Sequence, residues 1–298
     1  MLRRVSGRIF LGLFLAAAHL MQATPSQAEE CPAHLLDGVR PSLVDARLSP
    51  QTLPLCFSAF TILYSGTSRT PLYAAEHLTR QSVFAARAVD RLDAFHDEER
   101  LPEEMRARLD DYVRSGFDRG HMAPAGDMPT PEAQSESFSL ANIVPQERSL
   151  NRTLWAAIEE SVRRLAIERG SLYVVTGPVF QGAEIRSING RVLVPTHLFK
   201  AVYDPKRREG AAYLAPNVPD AEWRQISLSE LAKVVGIDAF PRRPIEAAMM
   251  TLPEPRAYSR DGETRRDGRR EDSIEAWLYR SLERFIRYLA REILRAIF

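Results

Sequence analysis

An α+β protein with a mixed-sheet core, helices packed on it and a separate C-terminal amphipathic helix is the fold class this sequence predicts. Aromatic and β-branched runs broken by glycine-containing turns predict the strands. Asn151 to Arg169 carries apolar residues at helical spacing and ends on Gly170, where a left-handed residue closes a helix. Beyond a charged stretch, Ile274 to Phe298 repeats apolar residues at helical steps with arginines between them.

The chain begins with Arg3, Arg4 and Arg8, an apolar run over 9–18 and small residues at Ser26-Gln27-Ala28. That order is the anatomy of a signal peptide over 1–28, so the expected location is exported, periplasmic or secreted. The apolar run falls short of the ~20 residues that span a bilayer. Only Cys31 and Cys56 are present, and an even pair in an exported chain suggests a disulfide, whereas two thiols alone are a poor metal site.

From Cys56 the chain reads as two strands, 57–64 and 72–78, joined by Ser65-Gly66-Thr67-Ser68 as a hairpin. His77 reads as structural. A charged region from Ala85 to Arg114 contains a short helix expected around 103–112, and Gly126 to Ser139 reads as loop. Leu154, Trp155, Ile158, Val162 and Leu165 form the buried stripe of the 151–169 helix, while Glu159 and Arg163 share another face. Strands follow at 172–176, 192–194, 197–203 and 211–215, then a helix capped at Ser227-Leu228-Ser229-Glu230.

The organisation expected is therefore one domain over 29–257, a flexible charged linker over 258–272, and a helical tail over 273–298. The tail's apolar stripe flanked by Arg280, Arg284, Arg287, Arg291 and Arg295 suits a membrane surface in peripheral association, a partner helix, or packing back on the domain.

The net charge of +1 comes from 40 basic and 39 acidic residues. Removing Arg3, Arg4 and Arg8 would leave 37 against 39, a net charge of −2. Such a balance excludes nucleic-acid binding by bulk positive charge, so any affinity for phosphate must come from particular arginines with their planar, forked donors.

One stretch concentrates chemistry: Phe117-Asp118-Arg119-Gly120-His121-Met122-Ala123-Pro124-Ala125-Gly126-Asp127. It is answered by Asn142-Ile143-Val144-Pro145-Gln146 and then by Asn151, Trp155, Glu159 and Arg163. These three motifs, in this order, resemble the DNA/RNA non-specific endonucleases of the ββα-metal, or His-Me finger, class. The resemblance runs from about Cys56 to about Gly236 and includes Tyr64-Ser65-Gly66, Asp111-Tyr112 and Thr176-Gly177-Pro178. It departs at Ala141, where the family commonly has Ser.

The resemblance implies a ββα-metal finger active site and a Mg²⁺-dependent endonuclease acting on DNA and RNA through phosphate contacts, with 5′-phosphate products. Mn²⁺ is the expected substitute metal. Asn151 would be the direct metal ligand, since a neutral amide oxygen is a hard donor suited to an ion that keeps its waters. Glu159, eight residues on, would hold a metal-bound water. His121 is the candidate general base, because a neutral imidazole is the side chain suited to accepting a proton near pH 7. Arg119 is the first candidate phosphate clamp, with Arg91 and Arg163 behind it; Arg163 could equally form a helix-surface pair with Glu159. Asn142 would orient the site, and Asp118 would pin backbone. Two other readings compete: a catalytically silent nucleic-acid-binding protein on the same fold, and a zinc site using His121 with His77 or His197, which no Cys/His spacing supports.

Overall fold

The structure, a computed structural model, describes residues 31–241 and 248–256. The expected leader, linker and tail lie outside these residues. Strands β1 (Thr52–Cys56), β2 (Phe60–Ser65) and β3 (Thr70–Thr79) form an antiparallel meander, and β3 runs directly into helix α1 (Arg80–Ala86). β1 was not expected. Its Pro54 lacks an N–H to donate, and the strand is accommodated at the sheet edge. α1 was also missed, because Ser82 replaces the usual Glu or Gln partner in its Thr79 capping box.

Helix α2 covers only Leu109–Tyr112, not the expected 103–112. The preceding segment is a turn, with the Met105 N–H donating to the Pro102 carbonyl at 3.0 Å, and Arg106 ties it back by donating from Nε to the carbonyl of Leu101 at 2.6 Å and from Nη2 to that of Glu99 at 3.0 Å. Next comes strand β4 (Asp118–His121), and then helix α3 (Pro131–Ser137), where a loop was expected. Thr130 caps α3 by accepting from the Ala133 N–H at 3.1 Å, and Pro131 sits at its first turn, where the missing N–H costs nothing. Strand β5 (Ile143–Gln146) then returns along β4.

Glu147 opens the main helical segment by accepting from the Leu150 N–H at 2.7 Å. Asn151–Trp155 forms a π-helical turn before α4 (Ala156–Arg169) begins. Gly170, at φ +89°, ends α4. β6 (Ser171–Val179), β7 (His197–Asp204), β8 (Glu209–Pro216), β9 (Arg224–Ile226) and helix α5 (Leu228–Val235) complete the main elements. Sheet order is β9-β8-β7-β6-β3-β2-β1, antiparallel throughout, and Ala248–Met249 adds in parallel to β8.

Alternation along β3 and β6 sends Ala74, Leu78, Leu172 and Val174 to one face and Tyr73, Ala75 and Val175 to the other. The first face is covered by α4, through Trp155, Ile158, Val162 and Leu165. Leu35, Leu36, Leu231 and Phe240 cover the second. Cys31 and Cys56 form the expected disulfide, with Cα atoms 5.8 Å apart. His77 is structural, stacked on Tyr173 with ring centroids 4.3 Å apart and paired with Ser171 Oγ at 2.7 Å.

Candidate active site

The β4–β5 ribbon pairs Asp118 with Gln146 and His121 with Ile143, so the acidic and imidazole ends of the motif sit at opposite ends of one short ladder. Gly120 is required there, since a Cβ would run into the Gln146 side chain. Asn142 locks the turn after His121. Its Oδ1 accepts from the Ala123 N–H at 2.9 Å, and its Nδ2 donates to the carbonyls of Ala123 and Ser137 at 2.8 and 2.9 Å. With every amide atom engaged in the protein interior, Asn142 acts on the site through the backbone.

His121 is held in an aromatic box. Phe138 meets it edge-on at 4.9 Å and Phe95 lies tilted at 5.4 Å. Its Nε2 is sealed from solvent without a hydrogen-bond partner among the described residues. Burial, reinforced by the positive charges of Arg91 and Arg119 and opposed by Asp93, pushes the imidazole down to about 3, so it is neutral throughout the physiological range. The arginines lie on the outer faces of the same box. The guanidinium carbon of Arg119 is 4.1 Å from the Phe95 centroid, and that of Arg91 is 5.4 Å from Phe138. Arg91 also pairs with Asp93 at 2.8 Å.

At the other end of the ribbon, Asp118 organises the head of the helix. It accepts from Asn151 Nδ2 at 3.2 Å, from Arg152 Nε and Nη2 at 2.7 and 3.0 Å, and from Arg148 Nε at 3.4 Å. Against the burial that raises it, the hydrogen bonds from Arg152 and Asn151 hold this carboxyl below the usual carboxylate range. An ionised carboxylate only accepts, so the Asn151 NH₂ must face Asp118 and Oδ1 is left as the amide's acceptor. The expectation that Asp118 pins backbone is corrected: its partners are side chains. The π-turn beginning at Asn151 widens the helix there, so an ideal-helix projection from Asn151 to Glu159 does not apply.

Arg91, Arg119, Arg148, Arg152, Asn151 and Asp118 share one cleft of roughly 530 Å³. Arg163 does not belong to it. Its Nη1 donates to Asp127 at 2.8 Å and its Nε to Glu160 at 2.9 Å, and both acids are buried. Neither the clamp nor the pairing with Glu159 describes its contacts; the next acid along, Glu160, is the bonded one. Glu159 is partly buried, and its pKa is raised by burial to about 7 despite the opposing charges of Lys200 and Arg163. Arg91 is felt by both His121 and Glu159, which ties the two groups to one electrostatic neighbourhood. Lys200 is buried in β7, donating to Thr176 Oγ1 at 2.7 Å and lying 3.8 Å from Glu76, whose carboxyl burial pushes far upward.

Arg148, Arg152 and Lys200 were not singled out as site residues from sequence, and Asp127, at the end of the central stretch, was given no role. Arg148 and Arg152 bracket Asn151 four residues apart, a visible signal. Lys200 is one of only three lysines and interrupts an apolar strand.

Among the described residues no group of three or more His, Cys, Asp or Glu side chains could hold a metal, which excludes the zinc reading there. The donor set instead fits a hard, hydrated divalent ion taking one protein oxygen, Asn151 Oδ1, from an amide already turned by Asp118.

A two-stranded ribbon leading into a helix, with histidine on the first strand and asparagine at the helix head, defines a ββα-metal finger nuclease fold. The chain belongs to the DNA/RNA non-specific endonuclease family, whose model matches residues 45–244. It is 35% identical over 179 residues to "Nuclease 1, mitochondrial" of Schizosaccharomyces pombe, covering 54% of this chain and 56% of that protein. It is 36% identical over 205 residues to "Nuclease C1" of Cunninghamella echinulata var. echinulata, covering 62% of this chain and 81% of the relative. The chain thus spans little more than half the length of the fission-yeast relative. A solved structure, "Crystal structure of the EndoG/EndoGI complex: Mechanism of EndoG inhibition", matches with a TM-score of 0.56 and 28% identity over 63% of this chain and 87% of that one.

These comparisons correct the expected location. The Schizosaccharomyces pombe, Saccharomyces cerevisiae and Homo sapiens relatives are all named as mitochondrial nucleases, against the exported, periplasmic or secreted setting expected.

Proposed function

We propose that this protein is a divalent-metal-dependent endonuclease that hydrolyses phosphodiester bonds in DNA and RNA without marked sequence preference, with Mg²⁺ as the metal and 5′-phosphate products. The observation that carries the reading is the Asp118 carboxylate, which orients the Asn151 amide and gathers Arg148 and Arg152 on the ribbon that also bears His121.

Asn151 would hold the cation through Oδ1, and the cation when bound supplies charge stabilisation at the phosphorane and leaving oxygen. Arg119 and Arg91 hold the phosphate oxygens, anchored by their stacking on the Phe95 and Phe138 rings. His121 accepts the proton of the attacking water. With Nε2 sealed, Nδ1 is the nitrogen that takes it. Phosphate binding beside Arg91 and Arg119 offsets the two charges that depress the imidazole, raising its basicity where the proton is transferred. Glu159 holds a site water by a hydrogen bond, and its elevated pKa lets that carboxyl exchange a proton near neutrality. Arginine contacts to phosphate carry no base information, which accounts for cutting both nucleic acids.

Incubation with plasmid DNA and total RNA, with Mg²⁺ and with EDTA, tests the reading. Degradation of both nucleic acids that EDTA abolishes is expected. Binding without cleavage in Mg²⁺ would favour the catalytically silent alternative.

A further inference from the structure

Arginines are not the cleft's whole lining. Leu109 and Val113 around α2 and Phe117 at the foot of β4 line the same cleft. Leu109 is 37% exposed and Val113 63% exposed, unusual for aliphatic side chains lining a polar cleft. Phe117 packs partly on the Ala107–Tyr112–Ile143 cluster and carries the Arg186 guanidinium 5.4 Å from its centroid. Water gains nothing from this wall. A strand of nucleic acid has matching halves, a charged backbone and flat apolar base faces.

We infer that the Leu109–Val113–Phe117 wall is a nucleobase subsite that takes an unpaired base of the strand whose phosphates lie on Arg119, Arg148 and Arg152. The inference rests on the nuclease reading and adds a substrate class to it: single-stranded or locally opened nucleic acid. A base held in a duplex keeps its faces stacked on its neighbours and has none to offer. Contact with aliphatic and aromatic surface is indifferent to which base it meets, because every base has a π-face. The subsite therefore adds affinity without adding sequence preference. Its occupant is fixed by charge: phosphate must lie on the guanidinium groups that line the same cleft of roughly 530 Å³.

The test compares cleavage of single-stranded oligothymidylate with that of an equally long strand of tetrahydrofuran abasic analogues, which keeps every phosphate and removes every base. For the unaltered protein, kcat/KM should favour the base-bearing strand by about tenfold, the scale of one base contact. Val113→Ser and, separately, Leu109→Ser should shrink that ratio toward one. Their exposure makes both substitutions tolerable to the fold, and far-UV circular dichroism with thermal melting checks that. A ratio near one for the unaltered protein, or a ratio unchanged in both variants, would overturn the inference and leave the wall to a protein partner. Cleavage of neither strand would overturn the nuclease reading and this subsite with it.

Discussion

Two sets of arginines flank the same ribbon-helix unit, and they differ in what surrounds them. Arg148 and Arg152 stand on the cleft with side chains 59% and 63% exposed, sharing one carboxylate, Asp118. Arg163 and Arg169 are only 14% and 12% exposed, and each bridges two acids from separate segments: Asp127 and Glu160 for the first, Asp204 and Glu209 for the second. An exposed guanidinium with an open edge can meet an incoming phosphate. A buried one that already joins two carboxylates is fixed in place, and removing it leaves buried acid short of a partner. Arg152, in the π-turn, and Arg163, inside α4, are the same residue type on one helical segment. Burial and partner count separate their roles.

This contrast can be broken most forcefully at Arg163. Arg163→Ala should destabilise the fold by about 3–5 kcal/mol in urea titration, because Asp127 stays buried without the guanidinium it is bonded to, while Glu160 keeps Arg87 at 3.3 Å and Arg164 at 3.7 Å. A loss below about 1 kcal/mol would put Arg163 with the exposed set. Arg119→Ala is the opposite case. Its stability should stay within about 1 kcal/mol, while kcat/KM falls roughly 10²–10³-fold on DNA and RNA alike, as expected when a preorganised donor to a developing anion is lost. A markedly different fall between sequences would show that Arg119 reads bases.

Asp118→Ala should raise the metal concentration needed for half-maximal cleavage by about 10–100-fold, the usual cost of losing a partner that orients a metal ligand. An unchanged requirement would mean that Asn151 needs no such support. Glu159→Gln is expected to stabilise the metal-free protein by about 1–2 kcal/mol at pH 8 while lowering activity, since the native carboxyl must ionise in a desolvated place. The signs follow from the shifts. Glu159, raised to about 7, makes stability fall as pH rises from about 4.5 through 7, whereas His121, lowered to about 3, makes stability rise with pH between about 3 and 6.5. Melting temperature against pH should therefore lose its decline between about 4.5 and 7 in Glu159→Gln and its rise between about 3 and 6.5 in His121→Ala.

The sheet and the long helix were legible because alternation and the 3.6-residue period report burial directly, as in Val174 against Tyr173 and in Ile158 with Val162. Short elements were not, because local side-chain bonds decide them. Thr79 and Ser82 start α1, Thr130 starts α3, and a turn closed by the Met105 N–H on the Pro102 carbonyl and tied back by Arg106 stands where a longer α2 was expected. At the site, the motif spacing placed His121 and Asn151 on one ribbon-helix unit. It could not show that Asp118 holds Asn151, since that contact crosses from strand to helix and depends on the π-turn. Nor could it separate Glu159 from Glu160 as the partner of Arg163: adjacent acids on a helix differ by a rotation that packing alone settles.

The central claim is that His121 is the proton acceptor and Asn151 the metal ligand, and a Mg²⁺ titration of cleavage rate in His121→Ala and Asn151→Ala tests it directly. His121→Ala should saturate at the same Mg²⁺ concentration as the unaltered protein but with turnover lower by about 10²–10⁴-fold at every concentration. Asn151→Ala should need far more metal and regain part of its rate when that metal is supplied. Full rescue of His121→Ala by added Mg²⁺, or none of Asn151→Ala, would contradict the assignment of base and ligand.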